Sequence, residues 1–182
     1  MLHKRFAVKL LTTFDAHFSV VWEAFSNIEW IKNWYKPLNF KLIEADYNVK
    51  VGERWWFILQ RSDGRKFRST GVFYFVRTYN RIVFSHSWQE YSKTEDKTQQ
   101  KPFQQLNKDV LSGKFETQIS LSFEKKADNK TLLHFLQTGF DSHLAHQAHY
   151  NVWNECFVNL SDFLNNSYEI ETYYPSTQRS LS

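Results

Sequence analysis

The chain has 182 residues, a net charge of +4 and 18% aromatic residues, and its 5 glycines and 3 prolines exclude a fibrous or disordered chain, so a single packed domain is expected. The densest basic group, within residues 61–68, is typical of a solvated hairpin and argues against nucleic-acid binding. No apolar run is long enough for a membrane span, and Lys9 breaks the N-terminal apolar run, so we expect a soluble cytoplasmic protein.

The first part of the chain predicts one strand followed by two short helices. Residues 6–14 alternate along the chain in the way that indicates a strand. Ser19 is predicted to be the N-cap of a short helix over residues 20–27. A second helical piece over residues 28–35 is expected to end before Pro37.

Six further strands are predicted after the two short helices. They cover residues 40–48, 53–61, 66–78, 81–90, 115–125 and 131–140. Asp63 and Gly64 form a hairpin signal, since both residues tolerate the positive φ of a tight turn. Residues 115–125 alternate strictly between apolar and polar side chains. One face of this strand is therefore buried and the other is wet, as in an antiparallel sheet.

Residues 91–114 interrupt this rhythm with a long polar connection. Pro102 and Gly113 stand where a short helix would begin and end, and Phe103, Leu106 and Val110 would share one of its faces. Connections of this length are uncommon, so the segment is either a mobile lid or a surface decoration. Residues 167–182 are predicted to be a polar, loosely ordered tail, which leaves a domain of residues 1–166.

The strongest helical signal covers Ser142 to Asn166. Its apolar side chains occupy about half of the circumference, a wider stripe than an ordinary surface helix has. Cys156 projects from the middle of this face, and we interpret it as a small buried hydrophobe rather than as a nucleophile. The helix must lie on a large apolar surface, which is either a solid core or the wall of a ligand cavity.

The order of these elements and several motifs resemble one family of proteins. The segment VWEAFSNIEWIKNWYKP resembles the opening signature of the SRPBCC superfamily, in the branch of heat-shock protein 90 ATPase activator homologues. Val51-Gly52 with Trp55, then Gly71-Val72, RTYNRIVFSHSW and TLLHFLQTGF, follow in the order of that family. The resemblance implies an α+β, START-like helix-grip fold. In this fold a curved seven-stranded antiparallel sheet wraps around a long C-terminal helix, and two short helices follow the first strand.

Two places in the chain depart from the family pattern. Glu53 stands where the family commonly has a second glycine. The connection 91–114 is longer than the usual one. We therefore expect the turn at Glu53 and the entrance of the pocket to differ from those of relatives.

A curled sheet that is gripped by a helix often leaves a pocket, and small-molecule pockets are mostly apolar with a few polar groups. Large aromatic side chains can instead fill such an interior, and the resemblance favours the pocket. Strand parity and the helices predict a pocket wall of twelve residues: Trp34, Trp55, Phe57, Phe84, His86, Trp88, Thr117, Ile119, Leu121, Phe135, His149 and Trp153.

Histidines are the notable polar members of this set. A buried imidazole needs a hydrogen-bond partner, so His86 and His149 are either satisfied core histidines or contacts for a ligand. His143, His146 and His149 recur every three residues, but their directions diverge around the helix, and no metal site or cofactor is predicted. No catalytic motif and no inward pair of carboxylates is evident.

The leading hypothesis is a non-enzymatic domain that binds a lipophilic or aromatic small molecule, as a monomer or a homodimer. One alternative is an enzyme of the polyketide-cyclase or hydrolase kind, in which His86 would work with Thr117 or His149. A second alternative is a module that contacts a chaperone, as the resemblance implies.

Overall fold

The computed structural model describes residues 6–91, 116–127 and 129–166. The long connection with its predicted short helix lies outside the described residues from residue 92 onwards, and so does the predicted tail. Within the described ranges, no helix is both long and apolar enough to cross a membrane.

The described residues form one seven-stranded sheet and three α-helices. The strands are β1 (Phe6–Phe14), β2 (Lys41–Asp46), β3 (Arg54–Gln60), β4 (Lys66–Arg77), β5 (Arg81–Tyr91), β6 (Thr117–Lys125) and β7 (Thr131–Phe140). The helices are α1 (Phe18–Ser26), α2 (Ile28–Trp34) and α3 (His143–Asn166), and Pro37–Asn39 form a short 3-10 turn.

The strand order is β1-β7-β6-β5-β4-β3-β2, and every neighbouring pair is antiparallel. Strands β1 and β2 therefore lie at opposite edges of the sheet. Helices α1 and α2 connect these two strands. Helix α3 follows β7 and lies against β1, β7 and α2. This arrangement confirms the predicted α+β helix-grip fold.

The predicted N-cap of α1 is wrong. Helix α1 begins at Phe18, and its N-cap is His17 rather than Ser19. The ring nitrogen Nδ1 of His17 accepts a hydrogen bond from the backbone N–H of Ser19 at 3.4 Å. An imidazole nitrogen thus does what a serine or aspartate oxygen usually does at a helix start.

Aromatic rings occupy much of the space between the sheet and α3. The Phe157 ring of α3 meets the rings of Phe14, Phe25 and Phe135 edge-on, at centroid distances of 6.4, 6.4 and 5.5 Å. Edge-to-face pairs of this kind are favourable because the positive edge of one ring faces the negative face of the other. The buried side chains of α3 are Ala145, His149, Trp153, Cys156, Phe157 and Leu160.

Candidate functional site

A small pocket lies between α3, β5 and the Pro37–Asn39 turn. Its volume is about 20 Å³, which is room for roughly one water molecule. The free space around it, including the opening to solvent, is about 330 Å³. The pocket is thus narrow and partly open to solvent. Eight residues form its wall: Tyr35, Pro37, Leu38, His86, Trp88, His149, Val152 and Trp153.

The structure brings four of the twelve predicted residues together in this wall, namely His86, Trp88, His149 and Trp153. The other eight are buried in the core outside the wall: Trp34, Trp55, Phe57, Phe84, Thr117, Ile119, Leu121 and Phe135. Some of these support the wall from behind. The ring centroids of Phe135 and Trp153 are 4.7 Å apart, and those of Trp55 and His86 are 6.1 Å apart. Trp34 instead donates its indole N–H to the carbonyl oxygen of Ala24 at 2.8 Å.

Four wall residues were missed by the sequence analysis: Tyr35, Pro37, Leu38 and Val152. Val152 lies on the apolar face of α3, one residue before Trp153, so the helical pattern could have identified it. Pro37 was interpreted only as a helix terminator. Leu38 carried no signal, because its place in the wall depends on an unusual backbone conformation.

The rim of the pocket contains two consecutive non-glycine residues in the left-handed region. Leu38 has a φ of 53° and Asn39 a φ of 58°. This conformation costs about 1–2 kcal/mol per residue because Cβ approaches the carbonyl oxygen. Leu38 is also 41% exposed, although it lines the pocket. The backbone at Leu38 and Asn39 is therefore strained, and the Leu38 side chain is only partly packed.

The rings of His86 and His149 contact each other in the pocket wall. Their centroids are 5.8 Å apart and the rings are nearly perpendicular, at 88°. Burial, together with a smaller effect of the neighbouring His149, lowers the pKa of His86 from 6.5 to about 3. The His86 imidazole is therefore neutral at physiological pH, with one donor and one acceptor nitrogen. Within the described ranges of the chain, no group hydrogen-bonds this ring.

A chain of buried hydrogen bonds connects two residues of the pocket wall, Trp153 and His86. Trp153 Nε1 donates to Gln137 Oε1 at 2.9 Å, and Gln137 Nε2 donates to Thr117 Oγ1 at 2.8 Å. Thr117 Oγ1 in turn donates to the carbonyl oxygen of His86 at 2.9 Å. Helix α3 is thereby tied to β7, β6 and β5. Gln137 was also missed, although it alternates with inward Leu133 and Phe135 on β7.

Trp88 of β5 forms another part of the wall. Its ring stacks on those of Phe40 and Phe67, at 5.9 and 5.8 Å, with interplanar angles of 25° and 23°. The rings of Phe40 and Phe67 stack on each other at 5.1 Å. Three rings that contact one another restrict the orientation of the indole, so this wall is preformed.

Neither the thiol nor the phenol described near the pocket is an activated nucleophile. Cys156 is fully buried, as predicted, and burial raises the pKa of its thiol to about 12, with a further contribution from Glu155. Burial likewise raises the pKa of the Tyr35 phenol, and Cys156 adds to this. Both groups stay protonated near pH 7. Among the described residues, no cluster of His, Cys, Asp and Glu could hold a metal ion.

A curled antiparallel sheet closed by a long helix, with a small pocket at their junction, defines a helix-grip domain. The family model of the Activator of Hsp90 ATPase homolog 1-like proteins matches residues 15–165. The chain therefore belongs to this family. None of the curated proteins that were compared matches the chain.

Solved structures of several bacterial proteins share the fold. A protein from Chromobacterium violaceum has a TM-score of 0.69 and 14% identity, covering 88% of this chain and 98% of that one. The AHSA1 protein from Silicibacter pomeroyi has a TM-score of 0.68 and 11% identity, with the same coverage of 88% and 98%. A protein from Arthrobacter aurescens has a TM-score of 0.69 and 16% identity, covering 93% and 91%. At these identities, the likeness extends to the fold alone.

Proposed function

We propose that this protein is a non-enzymatic binding protein for a small lipophilic or aromatic molecule. The ligand would lie in the pocket between α3, β5 and the Pro37–Asn39 turn. Small-molecule sites combine apolar walls with a few convergent polar groups, which is the composition of this wall. The observation that carries the proposal is the buried ring of His86, which lines the pocket without a hydrogen bond to any described group.

The ligand has to open the pocket, because the present cavity holds about one water molecule. Leu38 is the wall residue best suited to move. It is half-exposed, and its strained backbone lowers the cost of leaving this conformation. Trp88 and Trp153, by contrast, are held by ring stacking and by a hydrogen bond. Entry by displacement of Leu38 therefore leaves two aromatic walls in place.

The first experiment is native mass spectrometry of the freshly purified full chain. We expect a fraction of the protein to carry a small molecule that organic extraction removes. Tryptophan emission should then change when an apolar probe is added to the extracted protein, because Trp88 and Trp153 line the pocket. A protein that is purified empty, and whose emission no apolar probe alters, contradicts the proposal.

An enzyme of the polyketide-cyclase or hydrolase kind is the second candidate, and the meeting of His86 and His149 supports it. Thr117 is a poorer partner for His86, because its hydroxyl is already engaged by Gln137 and by the His86 carbonyl. Once a substrate is known, His86→Gln and His149→Gln should each reduce kcat at least tenfold if the pair transfers protons, which typically contributes about 10²–10⁴-fold. Unchanged turnover in both variants removes this candidate.

Contact with a chaperone stays a prediction that the family's name supports. A pull-down of the full chain with a purified chaperone, together with a measurement of ATPase stimulation, tests it. A cytoplasmic location and a monomeric or homodimeric state are further predictions, which cell fractionation and light scattering would check.

A further inference from the structure

We infer that two copies of this chain associate through the free edge of β1, which pairs with the same edge of the second copy in an antiparallel arrangement. The inference concerns a surface other than the pocket and does not depend on the proposed binding function. It follows from the direction of the backbone groups of β1, from the difference between the two edges of the sheet and from the register that a twofold axis allows.

Three residues of β1 direct their backbone N–H and C=O groups away from the sheet. Strand β1 has one neighbour, and only every second residue of such an edge strand hydrogen-bonds that neighbour. The carbonyl oxygen of Ala7 accepts a hydrogen bond from Nε2 of His146 in α3 at 3.2 Å, so the backbone of Ala7 faces away from β7. The alternation gives Lys9, Leu11 and Thr13 the same direction. Apart from the ladder with β7, no hydrogen bond to these three residues occurs within the described ranges.

The two edges of the sheet differ in their protection against a further strand. At the opposite edge, β2 has six residues, three of them charged, and a register shift between Leu42 and Glu44. Short length, charge and bulges are the features that prevent a sheet edge from pairing. Strand β1 has nine residues, of which Lys9 alone is charged, and its register shifts only at its beginning, between Phe6 and Ala7. The edge of β1 is therefore the one that is open to another strand.

Exposed apolar side chains lie beside this open edge. Leu11 is 70% exposed, more than any other large apolar side chain in the described ranges. Tyr150 of α3 is also exposed, and it lies one helical turn after His146, whose ring reaches the edge at Ala7. Association through β1 would remove Leu11 from water on the face of the sheet opposite α3. Burial of apolar surface favours such association.

A second copy of the chain is a partner that fits this edge. A twofold axis beside Leu11 places this side chain opposite its counterpart and places Lys9 opposite the counterpart of Thr13. Two apolar side chains then meet, and the cation of each strand lies opposite a neutral hydroxyl, so no like charges face each other. The free backbone groups from Lys9 to Thr13 all gain partners, because both copies present the same surface. Each copy has one open edge, so association ends at the dimer.

Amide hydrogen exchange of the full-length protein, followed by NMR at a series of protein concentrations, tests the inference residue by residue. At low concentration, the N–H groups of Lys9, Leu11 and Thr13 should exchange rapidly, whereas those of Leu10 and Thr12, which face β7, should exchange slowly. At high concentration, exchange of the first three should slow about tenfold once about nine-tenths of the chains are paired. Light scattering should show the mass rising from one chain to two over the same concentrations.

Three results of this experiment would overturn the inference. The first is a protein that stays monomeric at every concentration. The second is slow exchange at Lys9, Leu11 and Thr13 that does not depend on concentration, because the edge would then be covered within a single chain. The third is a dimer in which these three amides still exchange rapidly, because the copies would then meet at another surface.

One substitution and a matched control localise the interface. Leu11→Lys places two cations against each other at the twofold axis and removes an apolar contact, so the dimer should dissociate at least about tenfold more readily. Val51→Lys adds the same charge at a residue that is 62% exposed and precedes β3, and four strands lie between β3 and β1. Sedimentation equilibrium should give Val51→Lys the wild-type dissociation constant. Equal constants for Leu11→Lys and the wild type, or equal weakening by both substitutions, contradict pairing through β1.

Discussion

The indole N–H of Trp153 donates a hydrogen bond to the side-chain oxygen of Gln137 at 2.9 Å. Both side chains are buried, so the bond joins α3 to the concave face of the sheet where water cannot compete. Trp153 is also a wall of the pocket. The same contact thus supports the fold and fixes one side of the candidate site.

The first prediction concerns Gln137. Gln137→Leu should lower the free energy of unfolding by about 1–3 kcal/mol, because the Trp153 indole and the Thr117 hydroxyl each lose a partner inside the protein. Urea denaturation monitored by circular dichroism measures the loss. The double variant with Trp153→Phe should lose less than the sum of the single losses, because the two residues interact directly.

Gln147→Leu is the matched control for this substitution. Gln147 lies on the exposed side of α3, where its amide donates a hydrogen bond to Asn151. Its replacement should change stability by less than about 0.5 kcal/mol. Equal effects at positions 137 and 147 would show that the buried chain of hydrogen bonds has no special role.

Gly71 is predicted to tolerate no side chain. A Cβ atom there would stand 1.8 Å from the carbonyl oxygen of Ser85 and 2.7 Å from Trp55 Nε1. Gly71→Ala should therefore destabilise the protein by about 3 kcal/mol or more, since backbone atoms have to move apart. Gly64→Ala should cost only about 1–2 kcal/mol, because Gly64 has a φ of 85° but open space around it. Denaturant unfolding of both variants measures the two losses in the free energy of unfolding. Equal losses would contradict the close approach of Gly71 to the Ser85 carbonyl.

His86 should make stability depend on pH. The pKa of His86 is about 3 in the folded protein, against the ordinary value of 6.5. Between pH 3 and pH 6.5, the imidazole is therefore protonated in the unfolded state but neutral in the folded state. Protonation of the unfolded state lowers the free energy of unfolding, so this free energy is highest above pH 6.5 and falls as the pH falls towards 3. Between pH 7 and pH 5, the wild type should lose on the order of 2 kcal/mol more than His86→Phe. Parallel pH profiles of the two proteins would mean that His86 titrates normally when folded.

Cys156 should be unreactive while the protein is folded. Its thiol is fully buried and its pKa is raised to about 12, so at pH 8 the folded protein holds almost no thiolate. A thiol reagent should then label it only through unfolding, at a rate that increases with denaturant. Above pH 9.0, the ordinary pKa of the thiol, Cys156 is deprotonated in the unfolded state but keeps its proton in the folded state. The free energy of unfolding should therefore fall as the pH rises from 9.0 towards 12. Rapid stoichiometric labelling in buffer contradicts this description.

The strands and the long helix could be predicted because their side chains repeat with a period that the chain itself displays. The alternation along β6 and the wide apolar face of α3 depend only on which residues are apolar. The alternation of side chains along β5 placed His86 and Trp88 on the face of the strand that lines the pocket. The same rule applied to β7 identifies Gln137, which was passed over because a glutamine was not expected inside.

The rest of the site depends on conformations that composition does not signal. Leu38 reaches the pocket because it takes a positive φ, which a leucine rarely does. His17 caps α1 through an imidazole nitrogen, a role that serine or aspartate usually has. Strand parity also cannot tell a wall residue from a core residue, which explains why Ile119 and Leu121 were predicted for the pocket but lie in the core.

The most direct test of the proposed binding function fills the pocket. Val152→Phe places a ring in the wall, whereas Val158→Phe, on the same helix, adds the same ring at a residue that is 61% exposed. Both folded variants and the wild type are titrated with 2-naphthol, and the dissociation constant is measured by protein NMR. Our account predicts binding at least about tenfold weaker for Val152→Phe, a loss of about 1.4 kcal/mol, and an unchanged constant for Val158→Phe. Wild-type affinity in Val152→Phe would contradict it.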